Sequence, residues 1–109
     1  MAQSYKVLAQ YAPGTTTNTD MYTVGAGLQI VASTVTICNR GGTNAQYRIA
    51  VRVGGAALAD NQYIAYGATV LASDTVALTL GLTLQANDVI TVYASNANLS
   101  FNIFGCEVT

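Results

Sequence analysis

From residue 5 to residue 104 apolar and polar side chains alternate in short runs, each closed by Gly, Asn, Asp or Thr. A period of two sends successive side chains to opposite faces of an extended chain, so each run specifies a strand with one buried and one outward face. The first run, residues 5–11, sets Tyr5, Val7, Ala9 and Tyr11 against Lys6, Leu8 and Gln10 and ends at Pro13-Gly14. A polar loop (residues 14–20), a short strand (21–24) and a turn at Gly25-Ala26-Gly27 follow, then a long β-branched run over 28–39 that reads as a central strand.

The Gly and Asn residues of 39–44 supply positive φ, so this tract is expected to close a β-hairpin with the next strand. In that strand Tyr47, Ile49, Val51 and Val53 alternate with Gln46, Arg48, Ala50 and Arg52. Further strands are expected over 63–71, 75–84, 89–94 and 99–104, with turns at 72–74, 86–88 and 96–98. Gly81 marks a bend or bulge inside the leucine-rich run. Helix content is expected near zero, since Ala56 to Leu58 forms at most one turn, too short to be stable alone.

These 109 residues have room for one domain with one core. The expectation is a single-domain antiparallel β-sandwich of about eight strands over residues 1–109, jelly-roll or immunoglobulin-like. Its core is expected to join the Ile49, Val51 and Val53 face to that of Leu78, Leu80 and Leu82, with Phe101 and Ile103 closing it. Leu80→Asp is then expected to abolish folding.

Charge is scarce: four basic and five acidic side chains, 8% of the chain against about 25% in typical domains. A net charge of −1 gives little repulsion between copies, so self-association or burial in a larger assembly is expected. Lys6, Arg40, Arg48 and Arg52 are too few for a phosphate-neutralising patch, which argues against nucleic acid. No apolar run reaches about 18 residues, and the first residues lack a signal-peptide pattern, so neither membrane insertion nor export is expected. Synthesis in a reducing compartment makes Cys38 and Cys106 two free, buried thiols, an intermolecular or late-formed bridge being the alternative.

Catalytic and metal chemistry lack their usual residues. There is no histidine, the commonest general base and transition-metal ligand. Asp20, Asp60, Asp74 and Asp88 fall in expected turns, where an aspartate ordinarily hydrogen-bonds its own backbone. No calcium-loop spacing occurs, Gly25-Ala26-Gly27 lacks a third glycine, and Ser and Thr have no base to activate them. No enzymatic activity, metal site or cofactor is expected. Tyr63 and Tyr66 differ in parity and are expected to face opposite ways, so that no aromatic platform forms. Arg48 and Arg52 share a face with Ala50 between them, either as a solvated surface or as the candidate contact with a carboxylate-bearing partner.

The succession Tyr5-Lys6-Val7-Leu8, Ile37-Cys38-Asn39-Arg40, Tyr47-Arg48-Ile49-Ala50-Val51, Gln62-Tyr63-Ile64, Leu80-Gly81-Leu82-Thr83-Leu84, Asp88-Val89-Ile90-Thr91-Val92-Tyr93 and Leu99-Ser100-Phe101-Asn102 resembles short virion structural proteins of tailed bacteriophages. The resemblance spans nearly the whole chain and rests on strand and turn signatures. Cys106 falls where the pattern leads one to expect serine.

It implies a virion component, synthesised in the host cytoplasm, with other virion proteins as partners. A capsid decoration or cement protein would bind the outer shell as a homo-oligomer, a trimer at capsomer junctions, bridging major capsid subunits. A tail, baseplate or fibre-base component is the alternative, and a carbohydrate-binding adsorption module a second. The short chain without a coiled-coil or fibrous segment favours decoration.

Overall fold

The structure, a computed structural model, describes residues 3–109. The expected domain over 1–109 also takes in Met1 and Ala2, which lie outside the described residues. Eight strands follow in order: β1 (Gln3–Tyr11), β2 (Thr19–Thr23), β3 (Gln29–Asn39), β4 (Ala45–Arg52), β5 (Tyr63–Val70), β6 (Thr75–Gln85), β7 (Val89–Ala94) and β8 (Leu99–Val108). Two single-turn 3-10 segments, Val53–Gly55 and Asp60–Gln62, interrupt the β4–β5 connection.

Two antiparallel sheets of four strands pack face to face, in the orders β1-β8-β3-β6 and β2-β7-β4-β5. The chain is an all-β sandwich, as its alternation predicts. Strand β1 pairs with β8, β2 with β7, β3 with β6 and β4 with β5, which is the arrangement of a long hairpin rolled upon itself. That rolled hairpin is the jelly roll. The core between the sheets is led by Phe101, Ile30, Ile37, Ile49, Ile90, Leu99 and Ile103, all fully buried. The ring of Tyr47 meets that of Phe101 edge-on at 6.4 Å.

The expected hairpin at residues 39–44 does not form. Strand β3 is hydrogen-bonded to β8 on one side and β6 on the other, so it has no edge to offer β4. The Gly and Asn residues reverse the chain but carry it into the opposite sheet. Buried Asn39 holds this arch: its Nδ2 donates to the carbonyls of Thr43 (2.8 Å) and Val70 (3.3 Å), and its Oδ1 accepts from Gly41 N (2.9 Å).

The proposed core faces also need correction at two positions. Val53 leaves the sheet in a 3-10 turn and is 64% exposed, while Leu80 is 43% exposed. Ile49, Phe101 and Ile103 are fully buried, and Val51, Leu78 and Leu82 pack against the core partly buried. Leu80 leaves the core where β6 carries an extra residue against β3, although Leu78 and Leu82, of the same parity, pack on the core to either side. Thr79 lies opposite Thr34 and Leu82 opposite Ala32, so Leu80 and Gly81 together face Ser33. Gly81 takes φ +64°, the left-handed conformation that glycine adopts without a Cβ penalty.

Bulges recur on every edge strand. One extra residue enters β1 at Leu8, β2 at Met21 and β5 at both Ile64 and Gly67, beside that in β6. Edge strands are commonly guarded against pairing with other chains by lysine or by bulges. With so few charges, this chain relies on bulges.

Candidate functional site

Strand β4 keeps an unbroken register with β7 from Tyr47 to Arg52, so its alternation holds. Tyr47 and Ile49 enter the core, leaving Arg48, Ala50 and Arg52 on the outer side of the β2-β7-β4-β5 sheet. The sequence placed the two arginines on one face, and the structure puts them into different settings.

Arg52 is fully engaged within the chain. Its Nη1 lies 2.7 Å from Asp20 Oδ1, Nε donates to Ala56 O at 2.8 Å and Nη2 to Gly55 O at 3.1 Å. Thr91 Oγ1 donates to the same Asp20 oxygen at 2.9 Å. Asp20 thus sits in β2 rather than in the expected turn, and the cluster joins β2, β4, β7 and the turn after β4. Bonding of this kind fixes the fold and leaves Arg52 few donors for another molecule.

Arg48 meets rings instead. It lies opposite Tyr93 on β7 and Tyr66 on β5, and its guanidinium carbon stands 4.2 Å and 4.3 Å from their ring centroids. Stacking between two π faces holds the planar guanidinium and leaves its N–H edge unused. Among the described residues, Arg48 alone of the four basic side chains has no oxygen partner: Lys6 has Glu107, Arg40 the carbonyl of Ala97, and Arg52 Asp20.

The expectation that Tyr63 and Tyr66 face apart is overturned. Strand β5 carries bulges on both sides of Ala65: Tyr63 lies opposite Ala50, Ala65 opposite Ile49, Tyr66 opposite Arg48 and Ala68 opposite Tyr47. Each inserted residue shifts parity, and the two rings meet edge-to-face with centroids 4.9 Å apart. The insertion at Ile64 puts both rings on the outer side, and Gly67, at φ +70°, carries the second insertion, which returns Ala68 to the core side. A glycine inside the strand pattern signals the second insertion, at Gly67, whereas the first, at Ile64, carries no such signal. The partnership with Tyr93 depends on strand pairing, which periodicity does not encode.

Asp60 completes the cluster. With Tyr63 and Tyr66 it lines an open pocket of about 440 Å³, within the range of small-ligand sites. The other carboxylates have partners: Asp74 accepts from Thr75 N, Asp88 from Gly54 N and Gln85 N, Glu107 from Lys6, and Asp20 from Arg52. Among the described residues Asp60 has none. A second pocket, about 430 Å³, lies beside Asp88, Val53 and Gln85. Both Asp88 oxygens are already bonded to backbone N–H groups, at 2.8 and 3.0 Å, so that pocket offers no free ionised group.

One end of the outer face of the other sheet is apolar, and Thr34, Thr36, Ser100 and Asn102 continue that face as a polar surface. Tyr5 lies opposite Cys106, which lies opposite Val31, and Val7 lies opposite Phe104. Ile30 and Ala32 point into the core, so Val31 and its register partners point away from it. Tyr5 is 80% exposed, and Val7 and Val31 are exposed beside it. Cys38 and Cys106 are free thiols, Cys106 buried and Cys38, against expectation, only half-buried on the outer side of β3. Their strands are neighbours, but Cys38 lies opposite Ser100 and Cys106 opposite Val31, which separates them by roughly 20 Å at about 3.3 Å per residue.

At the sandwich seam Lys6 Nζ lies 3.1 Å from Glu107 Oε1. Burial raises the Tyr22 phenol above its usual range, Glu107 raises it further, and Lys6 lowers it. Burial alone raises that of Tyr47. Compared with protein-family models and with curated proteins, the chain matches none.

Proposed function

We propose that this chain is a structural protein of a tailed-phage particle, a decoration subunit that binds and stabilises the outer capsid shell. The observation that supports the reading is the apolar outer face formed by Tyr5, Val7, Val31 and Phe104 on three neighbouring strands. A jelly roll is stable without covering that face, so the exposed apolar area is available for burial against a shell protein. Contact of this kind suits a chain with few charges, since it depends on shape and desolvation rather than on ion pairing. The architecture itself serves coat proteins, lectins and cupins alike, so the role rests on the face and on the sequence resemblance.

Copies associate as a closed oligomer, a trimer in this reading. The bulged edges disfavour strand addition, so subunits meet through faces or loops rather than by extending a sheet. Purified protein mixed with emptied phage capsids is expected to cosediment with them and to raise the temperature at which they rupture. Failure to bind capsids, with recovery of the protein in isolated tails, would assign it to the tail instead. Light scattering after size exclusion reads the oligomer, and a monomer that remains monomeric on the capsid would remove the trimer.

A further inference from the structure

Two of the charged side chains, one of each sign, have no polar partner among the described residues, and both border Tyr66. Arg48 stacks on Tyr66, and Asp60 shares the pocket of Tyr63 and Tyr66. Elsewhere this chain pairs its charges, so two unpaired groups beside exposed aromatics are the most unusual feature of its surface.

We propose that this corner of the β2-β7-β4-β5 sheet is a saccharide site, taking a pyranose that bears a carboxylate. The ligand must satisfy three features together. Tyr66, 63% exposed, and Tyr63, nearly perpendicular to it at 84°, offer flat apolar area with polar tips. The C–H face of a pyranose supplies the matching apolar plane. Asp60 is an acceptor and Arg48 a planar fork of donors, and a ring bordered by hydroxyls both donates and accepts. Arg48 is held by Tyr66 and Tyr93 before any ligand arrives, so little side-chain freedom is lost when it grips a carboxylate bidentately.

Other partners fit less well. An apolar protein surface would bury two unpaired charges without compensation, at considerable cost. A peptide rich in carboxylates would gain Arg48 but would meet Asp60. The site lies on the sheet opposite the apolar face proposed to dock on the capsid, and it does not depend on that reading. Loss of saccharide binding would leave capsid binding intact, and the reverse.

The test is calorimetric titration of the full chain with a hexuronate trisaccharide, a neutral hexose trisaccharide of the same linkage, and poly-glutamate. The expected order is hexuronate first, the neutral sugar weaker, and poly-glutamate without measurable binding. Tyr66→Ala is expected to weaken the hexuronate by about tenfold or more, whereas Tyr66→Phe keeps the ring and most of the affinity. Arg48→Lys retains the charge but not the fork, and is expected to weaken the hexuronate more than the neutral sugar. Asp60→Asn is expected to weaken both. Because Tyr66 is exposed, these variants should keep the parent circular dichroism and a cooperative melt lowered by no more than a few degrees, which separates loss of the site from loss of the fold. The proposal is overturned if no saccharide binds, if the neutral sugar binds as tightly as the hexuronate, if poly-glutamate matches the hexuronate, or if Tyr66→Ala binds like the parent.

Discussion

The two sheets depart from regularity in different places. In β1-β8-β3-β6 the irregularities form a line through the sheet, at Leu8, Ser33 and Leu80-Gly81, flanking Phe104. In β2-β7-β4-β5 the inner pair β4–β7 is unbroken, and the bulges lie only in the edge strands β2 and β5. A crease through a sheet needs close backbone approach at its centre, so its cost is steric. A bulge at an edge redirects side chains towards solvent at the cost of local backbone strain, and in β5 it builds the tyrosine corner.

Alanine at one glycine of each sheet is the strongest way to break this contrast. A Cβ on Gly105 would stand 2.1 Å from Val31 O and 2.8 Å from Ala32 Cα, both backbone atoms of the adjacent strand. Gly105→Ala is therefore expected to cost about 3 kcal/mol or more, the upper end of overpacking, read as a lowered urea midpoint. A Cβ on Gly67 would meet nothing within 4 Å, and its cost is the φ of +70° alone. Gly67→Ala is expected to cost about 1–2 kcal/mol. Equal losses at the two sites would remove the distinction between a steric crease and a strained edge.

The two outer arginines sharpen the comparison within one sheet. Arg52→Ala removes bonds to Asp20, Gly55 and Ala56 that join two strands and a turn. It is expected to cost about 1–2 kcal/mol, discounted because the Asp20 carboxylate is more than half exposed. Arg48→Ala loses only ring stacking and is expected to cost about 0.5–1 kcal/mol. If Arg48→Ala proved the costlier in thermal unfolding, Arg48 would be a structural residue and the corner a packing feature.

Sequence legibility follows the same division. Where β4 runs without a bulge, period-two reading correctly places Arg48 and Arg52 on one face and Ile49 in the core. Where a bulge enters, it fails: Leu80 leaves the core and Tyr66 joins Tyr63. Each bulge adds a residue whose effect on parity depends on the partner strand, and the partner is remote in sequence. The Asn- and Gly-rich tract after β3 was legible as a reversal but not as an arch between sheets, since only pairing with β6 and β8 denies β3 a free edge. The tyrosine corner is not legible because Tyr66 reaches the face of Tyr63 only through the insertion at Ile64.

Two tyrosines compare the core with the seam. Tyr47 and Tyr22 both ionise above the reference value of 10.0, so the unfolded chain releases these protons at lower pH than the fold does. Their contribution is therefore fully present below pH 10.0 and is lost as pH rises through the folded values. Urea midpoints measured from pH about 8 to about 11 should fall on the alkaline side. Tyr47→Phe, which removes a group raised by burial alone, is expected to flatten that fall. Glu107→Gln is expected to flatten it less, because the carboxylate is the lesser cause at Tyr22 and burial remains. No change of slope in Tyr47→Phe would place the alkaline transition elsewhere.

The smallest stability effect is expected at Leu80, and it separates folding from assembly. Uninterrupted alternation would put Leu80 among the core leucines, where a charge would abolish folding. In the bulge it is 43% exposed, so Leu80→Asp should change stability by no more than about 0.5 kcal/mol. Its aspartate would stand on β6, away from the unpaired charges of the tyrosine corner on the opposite sheet. Saccharide binding should therefore be unchanged. Val31→Asp places the same charge within the exposed apolar face and is expected to leave a folded protein that no longer cosediments with emptied capsids. A folded Val31→Asp variant that still binds capsids at the parent level would move the docking surface off this sheet; an unfolded Leu80→Asp variant would return Leu80 to the core and erase the bulge that sets the two sheets apart.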